Sequence, residues 1–369
     1  MKRLLRAIPY LPSTNSNLLK NLPVFSIITP SYNQLDWLRL CIASVRDQVA
    51  LPAPSSPLPA SPSAISPPPS ATDSPLHASP STLDSGPSTL SIEHIIQDAG
   101  TPGIEDLARE LGAEFHRNGQ LVFEASPSAI RHPLSAIGRE AALKIFSEPD
   151  DGMYDAINRG LSRATGDLCA YLNSDDQYLP GTLATVAEFF EKNPDTEMLF
   201  GNAIVVDPHG HYLCTRIVTI PNYWHTLVHT LSVFTAATFF RRTLVTEKNI
   251  HFRPDWKIIG DAIWILDHLR ARTRMALLRK TAATATETGE NLILSKNTRA
   301  ENIRFQSQAP PLAKALAPAL ILHHRLKRFL HGAYRPPAEP YAIYTKTSPT
   351  QRTSFTPKNP THRLPGRFG

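Results

Sequence analysis

The sequence is poor in cysteine. Only Cys41, Cys169 and Cys214 occur in 369 residues, and no CxxC spacing is present. That argues against a disulfide scaffold and fits a reducing compartment. Glycine is modest, at 17 residues, and neither GxxxxGK[ST] nor GxGxxG appears. Two common phosphate-binding devices are thereby excluded. No apolar run approaches 18 residues, which argues against a membrane-spanning helix. The opening MKRLLRAIPYLP is basic and then apolar, but Pro9 and Pro12 interrupt it and deny it the core of a signal peptide. Basic residues interleaved with aromatics are missing as well, so no nucleic-acid partner is expected.

Proline is in excess, with 34 residues against a usual ~5% of a chain. From Val49 to Leu90 there are 11 prolines and 11 serines, with Asp73 and Asp84 the only charges. Such a segment buries too little apolar surface to offset its ordering entropy. Residues 49–90 therefore read as a disordered insert. A second Pro-rich, basic tract runs from Arg335 onward. The net charge is +6, and much of the excess lies at the two ends. The stretch 315–330 reads either as a helix packed on the main domain or as a basic amphipathic helix touching a membrane. At ~150 residues per domain the length suggests roughly two domains. Locating the prolines leaves one: an N-terminal extension (1–22), a catalytic domain (23–295) holding the insert, and a basic helical and Pro-rich extension (296–369).

Apolar runs and helical spacings alternate along the domain. Val24–Thr29 reads as a strand ending at Pro30, and Leu35, Leu38, Ile42 and Val45 as a helix face, with Ser31 or Asn33 as its cap. Strands follow at 92–98, 143–146, 168–172 and 198–206, with helices at 104–111, 153–164 and 179–192. Gly166 is read as the left-handed residue closing the third helix. Residues 113–143 read as loops. The alternation predicts an α/β fold on a largely parallel sheet.

Acids stand at the ends of the apolar strands: Asp98, then Asp150 and Asp151, then Asp175 and Asp176. In open α/β sheets the ligand crevice lies outside those ends, although a single Asp there is more often a turn former. Asn173-Ser-Asp-Asp176 after a buried strand offers hard oxygen ligands. Mg²⁺ and Mn²⁺ suit few carboxylates plus water and phosphates.

Together these blocks resemble inverting glycosyltransferases of family 2. They are Ser26-Ile-Ile-Thr-Pro-Ser-Tyr-Asn-Gln34, Ile95-Ile-Gln-Asp-Ala-Gly-Thr101, Ser147 to Gly160 with Ala164-Thr-Gly-Asp167, and Tyr171-Leu-Asn-Ser-Asp-Asp176. Ala236 to Arg242, Trp256 to Asp261 and Thr288-Gly-Glu-Asn-Leu292 complete the set. The resemblance implies a GT-A fold, a Rossmann-like, mostly parallel sheet flanked by helices. It implies a nucleoside-diphosphate sugar as donor, a divalent metal (Mg²⁺ or Mn²⁺), and a glycan or lipid-linked acceptor. It implies a cytoplasmic setting, peripheral at the inner face of the membrane if the basic tail makes contact. By the same resemblance Thr29, Pro30, Tyr32, Asn33 and Asp98 line the nucleoside pocket. Asp150, Asp155 and Asn158 help hold the donor, with a structural role for Asp155 and Asn158 as the alternative. Asn173 and Asp175 meet the diphosphate, Asp175 and Asp176 the metal. Asp261 is the general base or merely a helix cap, and Trp264 lies on the acceptor side.

Two departures stand out. Thr101-Pro-Gly103 replaces the Ser/Thr-Asp-Gly common in the family, and Ile263 stands where a second acid is frequent. An inactive nucleotide-sugar-binding scaffold is one alternative. A sugar nucleotidyltransferase is another, weakened because Thr29–Leu35 has no Gly, Lys or Arg.

Overall fold

The computed structural model describes residues 24–49, 90–126, 141–229, 231–289 and 298–365. The N-terminal extension, nearly all of the Pro/Ser insert and the end of the Thr288–Leu292 block lie outside the described residues.

β1 (Phe25–Ser31) is the centre of the sheet, buried on both faces as its β-branched run demands. It extends past Pro30, which a central strand rarely tolerates. The hydrogen bonding explains why. Even-numbered residues of β1 face the strand at 168–171, with Leu168 N–H donating to Val24 O and Leu172 N–H to Ile28 O. That pairing stops at Ile28, so the N–H that Pro30 lacks has no partner strand to reach. α1 (Leu35–Arg46) follows. Its N-cap is Gln34, without a side-chain bond, so neither Ser31 nor Asn33 caps it.

β2 (Ile92–Asp98), α2 (Ile104–Leu111), β3 (Glu114–Arg117), β4 (Gln120–Phe123) and β5 (Ala141–Ser147) come next. Then follow α3 (Met153–Arg163), β6 (Leu168–Tyr171), β7 (Asp176–Tyr178), α4 (Thr182–Lys192), β8 (Met198–Val206) and β9 (Tyr212–Arg216). α5 (Tyr223–Val228), β10 (Thr238–Arg241), α6 (Thr243–Thr246), α7 (Gly260–Arg270) and β11 (Met275–Thr286) close the sheet region. The order is β4-β3-β5-β2-β1-β6-β10-β8-β11-β7, with β9 on β8. β3, β5, β2, β1 and β6 form a parallel block, and β10 then joins β6 and β8 antiparallel. The α/β expectation is borne out, with a mixed second half.

The β3–β4 hairpin occupies a stretch read as loop. Asn118 and Gly119 both have positive φ, 50° and 79°, as a tight two-residue hairpin turn requires. Gly166 corrects another expectation. It does not adopt a left-handed φ, and α3 ends on an extended Ala164. What excludes a side chain is proximity: a Cβ there would lie 2.6 Å from Val24 O and 2.8 Å from Ser26 N.

Beyond β11 come α8 (Thr298–Ser307), α9 (Pro311–Ala315) and α10 (Ala317–Leu330). The Pro-rich basic tract is not a simple tail. It folds into the hairpin of β12 (Tyr341–Thr345) and β13 (Ser348–Phe355), docked back on the domain. Arg352 Nη2 donates to Asp47 Oδ1 at 2.8 Å and to Ser44 O at 3.3 Å, capping the end of α1. Among the described residues no helix is long and apolar enough to cross a membrane.

Candidate active site

Parallel pairing brings the strand ends level. Ser31, Asp98 and Ser147 stand in register across β1, β2 and β5. Asp98 is fully buried there. Its Oδ2 accepts from Gly100 N (2.9 Å), Thr101 N (2.8 Å) and Ser147 Oγ (3.2 Å), and its Oδ1 from Thr101 Oγ1 (2.6 Å). Thr101 Oγ1 in turn accepts from Asn33 N (2.9 Å), in a loop where Asn33 holds φ 54°. Asp98 thus ties the loops after β1 and β2 together. Beside it lies a cavity of ≈ 490 Å³, lined by residues 100–106, Arg117 and Ser147. Tyr32, 65% exposed, and the half-buried Pro30 flank these loops.

Thr29 does not belong with them. It is 0% exposed, and its Oγ1 pairs with His94 Nε2 at 2.8 Å on the side of the sheet that holds Cys41. Strand alternation turns it into the core with Ile27. Arg117 was not foreseen. The Asn-Gly turn that delivers it was the available signal, and its Nη2 now pairs with Glu105 Oε2 at 2.9 Å.

The next block lies alongside. Asp150 Oδ1 accepts from Gly152 N at 2.9 Å. Burial raises its pKa, and the charges of Asp155 and Asp98 raise it further, so these acids share one neighbourhood. Asp155 is paired with Arg159 at 2.9 Å and accepts from Asp151 N at 3.1 Å. Asn158 clamps Phe252, donating to its O (2.8 Å) and accepting from its N (3.0 Å). Both functions of its amide are engaged, which makes it a structural residue linking α3 to the segment before α7.

The third block follows β6. Asn173 Nδ2 donates to Asp176 Oδ2 at 3.2 Å, and Ser174 Oγ donates to Gln34. Burial drives the Asp175 and Asp176 carboxyls upward in pKa, Asp176 also through the charge of Asp175. No ion pair among the described residues neutralises either. Asn173 Oδ1 is buried without a hydrogen-bond partner. Two carboxylates and an unpaired amide oxygen fit a hard divalent cation that completes its shell with water and phosphate. No group of three or more His, Cys, Asp or Glu that could hold a metal occurs among the described residues.

Asp261 sits in the first turn of α7. The N-cap is Ile259, so Asp261 is not the cap. Burial pushes its carboxyl up to about 6, opposed by the N–H groups of Ala262 and Asp261 and by the Tyr154 hydroxyl. Ala262 N donates to Oδ1 at 2.7 Å. Tyr154 packs flat on the helix start: a Cβ on Gly260 would lie 2.6 Å from its ring, and its hydroxyl donates to Ile258 O at 3.0 Å. From α8, Glu301 accepts from Lys257 N (2.6 Å), Ile258 N (2.9 Å) and Ile259 N (3.1 Å). Sequence reasoning missed both supports, since neither is near Asp261 in the chain. Trp264 is 0% exposed, stacked on Phe252 at 4.4 Å, and belongs to the core rather than the acceptor side. Tyr171, at the end of β6, joins the blocks. Burial raises its phenol, and the charges of Asp261 and Asp176 both act on it.

Residues 129–254 match the family described as Glycosyl transferase family 2. A "PGL/p-HBAD biosynthesis glycosyltransferase" of Mycobacterium bovis is 39% identical over 124 residues, covering 31% of this chain and 44% of that protein. An "Uncharacterized glycosyltransferase" of Mycobacterium tuberculosis is 43% identical over 54 residues, 14% of this chain and 21% of that protein. The matches thus span less than half the length of these relatives. Among solved structures, TarS 1-349 from S. aureus in complex with UDP-GlcNAc aligns at TM-score 0.46 with 13% identity, covering 83% of this chain and 72% of that one. The mannosyltransferase PcManGT from Pyrobaculum calidifontis, in complex with GDP-Man and Mn²⁺, aligns at 0.42 with 13% identity, covering 87% and 79%. The segment 129–254 that matches this family, about a third of the chain, holds Asp150, Asp155, Asn173, Asp175 and Asp176.

Proposed function

We propose that the chain is an inverting glycosyltransferase of GT-A type, taking a sugar from a nucleoside-diphosphate sugar to an acceptor hydroxyl on a glycan or lipid-linked carrier. The observation that carries this reading is the presence of two separate acid centres, the Asp175/Asp176 pair after β6 and the lone Asp261 in the first turn of α7, with the charges of Asp176 and Asp261 both acting on Tyr171. Single displacement with inversion needs these two functions, one at the leaving group and one at the nucleophile. The loop network of Asp98, Thr101 and Asn33 shapes the nucleoside seat, with Tyr32 and Pro30 at its rim and the cavity beneath. Asp98 acts there through the loops it holds. Asp150 and Asp155 border the seat and keep its acidic wall in place.

Asn173, Asp175 and Asp176 would hold a Mg²⁺ or Mn²⁺ ion. That ion, when bound, offsets charge on the diphosphate leaving group. Asp261 takes the proton of the acceptor hydroxyl as its oxygen bonds to the anomeric carbon and the bond to the diphosphate breaks. A carboxyl titrating at about 6 is ionised at neutral pH yet basic enough for that task. The likeness to a protein of PGL/p-HBAD biosynthesis supports a biosynthetic setting.

The test is transfer from UDP-, GDP- and dTDP-sugars with and without Mn²⁺, alongside donor binding by thermal shift. Asp261→Asn should lower transfer by ~10²–10⁴-fold while donor binding persists, and EDTA should abolish transfer reversibly. Wild-type turnover by Asp261→Asn would remove the base assignment, and turnover indifferent to EDTA would remove the metal.

A further inference from the structure

We infer that the outer face of α10 lies on an anionic lipid surface. α9 and α10 and their junction carry six large apolar side chains facing solvent: Leu312, Leu316, Leu322, Leu326, Phe329 and Leu330, each between 49% and 73% exposed. Within α10 the spacing Leu322, Leu326, Phe329, Leu330 is i, i+4, i+7, i+8, so these four share one side of the helix. The opposite side is occupied. His324 is buried against the rings of His225 and His229, and Lys327 Nζ donates to Ile220 O at 2.6 Å. α10 therefore packs on the domain with one face and leaves an apolar face bare. Packing alone gives no reason for leucine and phenylalanine on the bare side.

Charge identifies the occupant. From Asn302 to Ala338 there is no Asp or Glu, while Arg304, Lys314, Arg325, Lys327, Arg328 and Arg335 fall in that stretch. Lys314 and Arg325 are exposed beside the apolar stripe. An apolar face flanked by cations is the pattern of a helix lying in a lipid interface. Each cation near an anionic surface adds about 1 kcal/mol, roughly a fivefold gain in partition. A second copy of this chain fits less well, because a two-fold contact would bring these cations against their own copies. Among the described residues no helix is long enough to span, so the contact is one of lying on the surface.

The experiment is co-sedimentation of the full chain with vesicles of phosphatidylcholine alone and of phosphatidylcholine with phosphatidylglycerol. The wild type should pellet with the anionic vesicles and less so as salt rises. The triple variant Leu322→Ser, Leu326→Ser, Phe329→Ser changes only exposed positions. It should lose at least about tenfold in partition and keep the thermal unfolding of the wild type. Arg325→Gln should lose about fivefold on anionic vesicles and nothing on neutral ones. Equal pelleting of wild type and triple variant overturns the inference. So does a wild type that ignores vesicles but elutes as a dimer, with the triple variant a monomer; the face would then belong to a second copy.

Discussion

An acid held with its pKa near 6 inside a protein destabilises it at neutral pH. For Asp261 the usual value is 3.8 and the folded value about 6, so the folded chain binds the proton more tightly than the unfolded one. The penalty therefore begins as pH rises through 3.8 and is complete above about 6. Asp261→Asn should stabilise the fold by about 2 kcal/mol at pH 8 and by almost nothing at pH 3.5, measured by denaturant unfolding. Transfer should follow the same titration in the opposite sense. Its kcat/KM should rise about tenfold per unit up to pH 6 and then level off. A variant that gains stability as it loses turnover marks a residue kept for chemistry. At this scale residue type was readable and partners were not. The carboxylates of Asp175 and Asp176 stand out at the end of an apolar strand, while Asp261 is reached only through the family resemblance. Thr29 was misplaced because its hydroxyl answers to His94, which is 65 positions away.

Elements show where legibility stops. β1, β6 and β8 are mostly apolar runs, the signature of strands buried on both faces, whereas β2 and β5 are readable from the apolar residues set between their polar ones. β7 has only three residues, and the β3–β4 hairpin mixes charge with aromatics, so periodicity misses both. α7 depends on an element far along the chain. Its start has no side-chain N-cap, and Glu301 of α8 receives three N–H groups just before it instead. Glu301→Ala should destabilise the chain by about 2–3 kcal/mol and reduce kcat by loosening Asp261, with donor affinity little changed. Glu301→Gln, which keeps one acceptor oxygen, should recover part of both. Thermal unfolding and single-turnover transfer would separate this from a purely structural loss, in which kcat per folded molecule stays constant.

In the whole molecule, the C-terminal hairpin is the surprise, because its prolines read as a tail. The β12–β13 pairing is local, but the Arg352–Asp47 bridge that docks it is not, and composition carries no trace of that contact. Arg352 is also bonded to Tyr178 O at 2.9 Å, so the hairpin spans α1 and β7. Arg352→Ala should cost about 3 kcal/mol and expose the hairpin, seen as faster hydrogen exchange across 341–355 and faster proteolysis near Glu339. Arg352→Lys should rescue only in part, since an ammonium cannot make the forked contact. The bridge joins residues 305 positions apart. On a ribosome adding roughly 5–20 residues per second, Asp47 emerges about 15–60 s before the arginine that will cap its helix. The strands of the sheet that follow α1 are made within that interval, so they form before their clasp arrives, and the emergence of Arg352 is a late step in closing the fold.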